Sequence, residues 1–234
     1  FITGTIDPNE VRQLISGYQC SALVMNDGRI CHNVGASLGG VEFYKESAKL
    51  EVTNGYIVEN VAMRAPIHTA VHDLHDFAGT TTITGGTFSQ EIVPYIDTTK
   101  YGAAIKFVKG TSGAEFVYYT VTTDLVKNER TGEIYHNFTT ADADAQDGDT
   151  LVILEDTRVY GTPETITKDV TINLDNKALY GWNDSLTTMF DIQGDVTVVP
   201  GGDNGMIDAS RKSNASIFTV TNGGTLSIED GIYR

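Results

Sequence analysis

The chain has 234 residues, with 16 Lys and Arg against 31 Asp and Glu, so its formal net charge is −15. A field of that sign repels phosphate backbones, which excludes nucleic acid as an expected partner. No stretch approaches the length of apolar sequence that spans a bilayer, so we expect no membrane insertion in this segment. With 24 Gly and only 5 Pro, and with many Thr, Val and Ile residues, the composition is that of a turn-rich β protein.

The first turn signal lies in "YQCSALVMNDGRICHNV", where Asn26, Asp27 and Gly28 separate two apolar runs. This pattern predicts a β-hairpin. A disulfide between Cys20 and Cys31 then depends on the loop, because a two-residue loop places both cysteines on one face and a three-residue loop places them on opposite faces. The alternatives are a disulfide or two half-buried thiols.

A six-residue phrase recurs along the chain: an apolar residue, a polar one, a corner residue (Asn, Gly or Asp), Gly, a variable residue and a second apolar residue. Its copies are residues 52–57, 83–88 and 228–233, and a shortened copy is residues 2–6. Asn, Asp and Gly tolerate the positive φ of a tight corner. The phrase therefore predicts a strand, a sharp corner and a second strand.

Two segments that follow this phrase, residues 4–20 and 86–103, carry apolar residues at near-helical spacing and predict short helical turns. Each is followed by a Tyr-containing hairpin. The second hairpin is predicted within residues 101–121, with its turn at 110–113.

The stretch "PIHTAVHDLHDF" is a candidate metal site. On a helix, His68, His72 and His75 would line one face with Asp73 and Asp76 adjacent, and imidazoles so placed can bind a transition metal. A proline at the first turn and an apolar stripe favour the helix. On a strand, His68 and His72 would share a face and His75 would point away. The alternative to a metal site is a set of histidines that make ordinary hydrogen bonds.

The acidic run "DADAQDGDT" supplies the other candidate metal ligands, Asp142, Asp144 and Asp147, and Asp149 follows them. The spacing departs from that of a calcium loop, because the twelfth position counted from Asp142 is Ile153 where a bidentate Glu is required. The alternative to calcium is a solvated turn before a strand.

In the second half, a strand-pair phrase recurs with Val170, Val196 and Leu226 in equivalent places, at spacings of 26 and 30 residues. Such a period, with corners made of Gly, Asn and Asp, is what stacked rungs of a parallel β-helix need. The competing fold is a β-sandwich, whose strands are usually joined by tight hairpins at shorter spacing.

The phrases "ITGGTF" and "DGDTLVILEDTRV…ITKDVTINLDNKALYG" resemble repeats of large secreted and cell-wall proteins of anaerobic gut bacteria. The resemblance covers most of residues 77–181, with weaker echoes at 1–58 and 186–234. It implies a pectate-lyase-like right-handed parallel β-helix on a bacterial surface, usually without assigned catalysis. The chain departs from the pattern in two places: residues 139–146 are short for a full helix, and Asn176-Lys177 stands where Asn-Gly is expected.

We therefore expect a mainly β, right-handed parallel β-helix (solenoid) with protruding hairpins and short helical turns. It would consist of two segments, residues 1–125 and 126–234, or of one continuous solenoid. The chain begins at Phe1 without a leader, so we expect a processed protein or a segment of a longer one. The expected function is an extracellular structural or adhesive scaffold that associates with itself head to tail, or with surface glycans or host proteins.

The alternative function is a carbohydrate-active β-helix, either a polysaccharide lyase or a glycoside hydrolase, or a carbohydrate-binding module. Trp182, Tyr118 and Tyr180 could serve as sugar platforms, although bracing a corner is the commoner use of such residues. No set of residues forms a catalytic motif. We expect no cofactor, with calcium at the acidic run as the alternative.

Overall fold

The structure is a computed structural model that describes residues 15–16, 22–35, 39–42, 48–64, 68–71, 73–75, 79–109, 113, 115–159, 163–181, 187–210 and 215–234. The chain forms two compact units, Phe1–Thr122 and Thr123–Arg234, and each is described by itself. Within the described residues, no helix has both the length and the apolar character needed to cross a membrane.

Unit 1 is built of short strands and one 3-10 helix. Its elements are β1 (Ile15–Ser16), β2 (Ala22–Met25), β3 (Arg29–Cys31), β4 (Val34–Gly35), β5 (Val41–Glu42), β6 (Lys49–Val52), β7 (Tyr56–Val58), β8 (Val61–Arg64), β9 (His68–Val71), β10 (Leu74–His75), β11 (Thr80–Ile83), β12 (Thr87–Phe88), η1 (Val93–Tyr95), β13 (Gly102–Lys109) and β14 (Glu115–Thr122). Strands one turn apart pair in parallel, as β2-β6-β11, β3-β7-β12, β4-β8 and β1-β5-β10. This stacking makes a β-solenoid.

The recurring phrase forms the corner between two stacked sheets of unit 1. Val52 lies beside Ile83 and Ile57 lies beside Phe88, so the copies at 52–57 and 83–88 are in register, which confirms the predicted repeat. Residues 25–30 form a third copy that lies on the copy at 52–57. The fourth residue of all three copies is a glycine with a positive φ, of 106°, 104° and 96° in chain order. A left-handed residue is therefore required at each corner.

The hairpin predicted around Asn26–Gly28 is wrong. β2 and β3 do not pair with each other; β2 pairs in parallel with β6, and β3 pairs in parallel with β7. The same turn chemistry that closes a hairpin here turns a solenoid corner. Cys31 is a free thiol, and Cys20 lies outside the described residues.

Of the two alternatives for the histidine stretch, the strand is confirmed at residues 68–71 and 74–75, and the helix is wrong. β9 pairs antiparallel with β8, with His68 opposite Arg64, and β10 then pairs in parallel with β5. The chain therefore reverses after β8 and returns to the solenoid at β10. Val71 and Leu74, two of the apolar residues whose spacing resembles that of a helix, belong to separate strands, and Ile67 lies outside the described residues.

The later hairpin and the second helical turn are confirmed. β13 and β14 pair antiparallel over eight residues each. β14 also pairs antiparallel with β12, so the hairpin extends the sheet β3-β7-β12. η1 lies between β12 and this hairpin. Of the earlier segment predicted as a helical turn, Ile15 lies in strand β1, and most of the rest lies outside the described residues.

Unit 2 is a solenoid with three strands per turn. Its elements are β15 (Val126–Asn128), β16 (Ile134–Tyr135), α1 (Phe138–Asp144), β17 (Asp149–Ile153), β18 (Thr157–Val159), β19 (Glu164–Ile166), β20 (Val170–Asn173), β21 (Ala178–Gly181), β22 (Thr188–Ile192), β23 (Asp195–Val199), β24 (Met206–Asp208), β25 (Ser216–Val220), β26 (Thr225–Ile228) and β27 (Ile232–Tyr233). The parallel sets are β17-β20-β23-β26, β18-β21-β24-β27 and β19-β22-β25.

The predicted period of unit 2 is confirmed residue by residue. Val170 lies beside Val196, and Val196 lies beside Leu226, so the spacings of 26 and 30 residues are single turns of the solenoid. The mainly β solenoid is thereby confirmed, and the right-handed sense that the resemblance implies stays a prediction. The corner at Asn176 is closed by left-handed Asp175 and Asn176, with φ of 46° and 61°, in place of an Asn-Gly pair.

One end of unit 2 is covered by elements that are not rungs. The hairpin β15-β16 pairs antiparallel with β17. Residues 138–144 do form a helix, α1, whose N-cap Asn137 accepts a hydrogen bond from the N–H of Thr140 at 2.7 Å. Phe138 of this helix meets buried Phe190 edge to face, with ring centroids 5.6 Å apart. Phe218 stacks on the other side of Phe190 at 5.8 Å.

Candidate functional site

A buried carboxylate lies at the centre of a polar network in unit 1. The Asp73 side chain is fully buried, and its Oδ1 accepts hydrogen bonds from the N–H and Nδ2 of Asn60 at 3.2 and 3.0 Å. Its Oδ2 accepts from the N–H and Oγ of Ser89 at 2.7 and 2.8 Å. Asn33 extends the network by donating Nδ2 to Asn60 Oδ1 at 2.7 Å. All of the hydrogen bonds to this carboxylate thus come from inside the protein.

The local sequence explains why these groups meet. Asn33 and Asn60 each come two residues after a stacked strand, β3 and β7, so the solenoid places one amide above the other. Ser89 directly follows β12, the next strand of the same set. Asp73 enters from the short connection between β9 and β10, and its own N–H donates to Gln90 Oε1 at 2.9 Å.

A second carboxylate, Glu59, connects this network to the surface. Its N–H donates to Ser89 Oγ at 2.6 Å, and its side chain accepts a hydrogen bond from the Tyr118 hydroxyl of β14. Glu59 Oε2 lies 3.3 Å from His32 Nδ1, and the His32 side chain is 52% exposed. His32 and Glu59 both have a left-handed backbone conformation, with φ of 59° and 56°. This conformation is uncommon for residues other than Gly and Asn.

The surroundings change how these groups hold protons. Burial raises the pKa of Asp73 to about 6 although the hydrogen bonds from Ser89 and Asn60 oppose it. Burial and the contact with Glu59 raise the pKa of the Tyr118 hydroxyl above its ordinary value. Glycoside hydrolysis needs two carboxyl groups that both reach the substrate. In this cluster, Asp73 is closed off from solvent, and Glu59 connects the β13-β14 hairpin to the corner after β7 through Tyr118. The arrangement therefore favours a structural role over acid–base chemistry.

Unit 1 should gain stability from Asp73 as the solution becomes more acidic. The folded-state pKa of about 6 lies above the ordinary 3.8, so the folded state binds this proton more tightly. The contribution is fully present below the ordinary pKa and is lost as the pH rises through about 6. We expect Asp73→Asn to flatten the dependence of the urea midpoint on pH between about pH 7 and about pH 5. Exposed Asp27→Asn is the control, and identical profiles for both variants would contradict the assignment.

The histidines predicted to bind a metal lie on two strands or outside the described residues. His68 belongs to β9 and His75 to β10, whereas His72 and Asp76 are not described. Asp73, which was predicted to assist them, is the buried centre of the network above. Within the described ranges, no three His, Cys, Asp or Glu side chains lie close enough together to hold a metal ion. The metal site at this stretch stays a prediction.

The acidic run of unit 2 is divided among different contacts. Asp142 and Asp144 lie on α1, and Asp144 Oδ2 accepts from the Tyr135 hydroxyl at 3.0 Å. Asp147 Oδ1 accepts from the N–H of Asp169 at 3.1 Å, one turn along the solenoid. Burial raises the pKa of Asp142, and nearby Lys168 opposes that rise. Calcium binding at Asp142, Asp144 and Asp147 likewise stays a prediction.

The Asp73 network is not predicted from the sequence, although one signal for it is present. Residues 31–34 and 58–61 read Cys-His-Asn-Val and Val-Glu-Asn-Val, so the corner residues and the stacked asparagines recur 27 residues apart. The contribution of Asp73 carries no such signal, because it comes from outside the repeat. Among known proteins, no family model, curated protein or solved structure matches the chain.

Proposed function

We propose that the chain is an extracellular structural or adhesive scaffold of stacked β-solenoid rungs that associates end to end with a second copy through the last rung of unit 2. The observation that carries the proposal is the stacking of unit 2, in which each turn adds strands in register to the three sheets of the turn before it. At the first turn, β17 pairs with the hairpin β15-β16, whereas β18 and β19 are outer strands of their sheets. At the last described turn, β25, β26 and β27 are all outer strands.

The last rung exposes side chains that point inward in the turns before it. Ile228 stacks on Val198, which is fully buried, yet Ile228 is 47% exposed. Val220 likewise stacks on fully buried Ile192 and is 48% exposed. Covering these side chains would remove apolar surface from water, at about 25 cal/mol per Å². An uncovered strand edge also offers unpaired N–H and C=O groups to another strand.

The described carboxylates favour a scaffold over a catalyst. Asp73, Asp149 and Asp208 are buried, and each accepts hydrogen bonds that join separate turns or a cap to a turn. Arg234 Nε, for example, donates to Asp208 Oδ2 at 3.0 Å across neighbouring turns. Carboxylates with such hydrogen bonds stabilise the stacking of the turns, and a stack of this kind provides a stiff surface for contacts with other molecules.

Association should depend on the inward face of β26 and not on its outward face. Ile228→Lys places a charge on the inward face, whereas Ser227→Lys places the same charge on the exposed outward face of the same strand. In sedimentation velocity, we expect the mean sedimentation coefficient of the unmodified chain and of Ser227→Lys to rise with protein concentration, and that of Ile228→Lys to stay at the monomer value.

Because the net charge is −15, salt should strengthen the association by screening repulsion between copies. A monomer at every concentration and salt level would contradict end-to-end association. Turnover of a polysaccharide, seen as unsaturated or reducing-end products, would contradict the scaffold role.

A further inference from the structure

A cleft of about 470 Å³ lies beside β11 in unit 1. One wall is the strand and its continuation, Thr81–Thr84, and the other wall is the segment that runs from Pro94 to Tyr101. The volume lies in the range of sites that hold small ligands or short chain segments. The Tyr95 hydroxyl accepts a hydrogen bond from Gln90 Nε2 at 3.4 Å, which connects this wall to the edge of the Asp73 network. The cleft shares no residue with the last rung of unit 2.

One wall of the cleft is a strand edge without a neighbour. β11 is the outer strand of the set β2-β6-β11, and the N–H groups of Thr80 and Thr84 donate to Ala48 and Val52 at 2.9 Å each. In a parallel ladder, alternate residues bond to the same neighbour. The N–H and C=O groups of Thr81 and Ile83 therefore point away from β6, and no described residue bonds with them there.

The opposite wall combines aromatic rings with charges at the rim. Tyr95 and Tyr101 are half-buried and line the cleft together with Ile96. Lys100 Nζ lies 3.2 Å from Asp97 Oδ2, and both side chains remain largely open to solvent. This wall offers apolar contact to side chains and, at the rim, one charge of each sign.

We propose that this cleft binds an extended peptide segment, which adds to β11 as a fourth parallel strand by pairing with Thr81 and Ile83. Strand addition of this kind takes affinity from main-chain hydrogen bonds and specificity from alternate side chains. A strand that continues this sheet must alternate apolar and polar residues, as Leu50, Glu51 and Val52 of β6 do. The expected occupant is therefore a peptide with an apolar, polar, apolar sequence. The site is in unit 1 and does not depend on the proposed self-association.

The sequence of β6 is a suitable probe because it already pairs in register with strands on both of its sides. β6 pairs with β2 through one edge and with β11 through the other. The probe is a labelled peptide, Lys-Leu-Glu-Val-Thr-Asn-Gly, which copies residues 49–55. In the same register, the peptide Leu and Val would lie beside Thr81 and Ile83, and the N–H of the peptide Glu would donate to Thr81 O.

The test compares two singly N-methylated forms of this peptide by fluorescence anisotropy. Methylation at Glu removes a donor that faces β11, whereas methylation at Val removes a donor that faces away. We expect the unmodified and Val-methylated peptides to bind, and the Glu-methylated peptide to bind at least about tenfold more weakly. Equal binding of both methylated forms, or no binding of the unmodified peptide at about 1 mM, would overturn the proposal.

Protein variants provide an independent arm. Thr81→Pro removes one outward N–H from an edge strand, a position where proline is tolerated, and should weaken peptide binding at least about tenfold. Lys100→Ala, at the rim, should change it by less than about threefold because an exposed ion pair contributes little. If Thr81→Pro does not fold, as judged by circular dichroism, the methylated peptides still decide the question. Binding of oligosaccharides but not of the peptide would assign the cleft to sugars and refute strand addition.

Discussion

Replacement of Phe190 by alanine should destabilise unit 2 by about 3–5 kcal/mol, the usual cost of emptying a fully buried aromatic site. Phe190 is completely buried between Phe138 of the helical cap and Phe218 of the next turn. Its loss leaves a cavity that separates the cap from the stack. Urea unfolding followed by circular dichroism, with hydrogen exchange of β17 and β20 amides to report on unit 2, measures the effect.

The matched comparison for this prediction is Phe218→Ala in the same column of rings. Phe218 is only half-buried, so its truncation should cost about 1 kcal/mol. Phe190→Leu retains most of the volume and should cost less than about 1.5 kcal/mol if the alanine variant does not fold. Equal losses for Phe190→Ala and Phe218→Ala would show that the column does not join the cap to the stack.

Asp149→Ala should cost unit 2 about 3 kcal/mol, because it leaves buried donors without an acceptor. The Asp149 side chain is completely buried at the start of β17. Its Oδ2 accepts from Asn128 Nδ2 at 2.7 Å, from Arg130 Nη2 at 3.0 Å and from the N–H of Gln146 at 2.9 Å, and Arg130 Nε donates to Oδ1. These donors come from the last residue of β15, from the turn after it and from the segment after α1, so one carboxylate joins both parts of the cap to the first rung.

The same residue should make unit 2 sensitive to acid. The hydrogen bond from Arg130 holds the pKa of Asp149 well below its ordinary 3.8 although burial opposes this. A lowered pKa contributes stability that is present above the ordinary value and is lost as the pH falls below about 4. Asp149→Ala should therefore remove part of the acid-induced loss in the urea midpoint of unit 2, and an unchanged acid profile would refute the role. For unit 1, Asp73 acts in the opposite direction.

Much of the fold was predictable because equivalent residues of a solenoid recur in the sequence once per turn. Each turn needs an inward apolar residue before and after a left-handed corner, so Val52, Ile83 and the glycine between the strands recur at fixed places. The spacing from Val170 to Val196 and Leu226 gave the strand partners of unit 2 directly. The third copy of the phrase, at residues 25–30, is harder to recognise because its Asn-Asp-Gly corner also fits a hairpin.

The errors and omissions have a common physical origin. Turn chemistry determines how the chain bends locally, but the partner of each strand is decided by stacking over a whole turn, which is why β2 and β3 were paired wrongly. The helical spacing of the histidines does not reflect a helix, because His68 and His75 lie in two separate short strands. Asp73 could not be assigned in advance, because it reaches Asn60 and Ser89 only after the chain has reversed at β9.

Hydrogen exchange at several protein concentrations tests the proposed end-to-end association most directly, because it locates the contact. We expect the amides of β26 and β27 to become more protected from exchange as the protein concentration rises, while the amides of β13 in unit 1 exchange at constant rates. Ile228→Lys should abolish the concentration dependence, and Ser227→Lys should retain it. Exchange from β26 and β27 that is independent of concentration, under conditions where β13 is unchanged, would contradict the proposed scaffold contact.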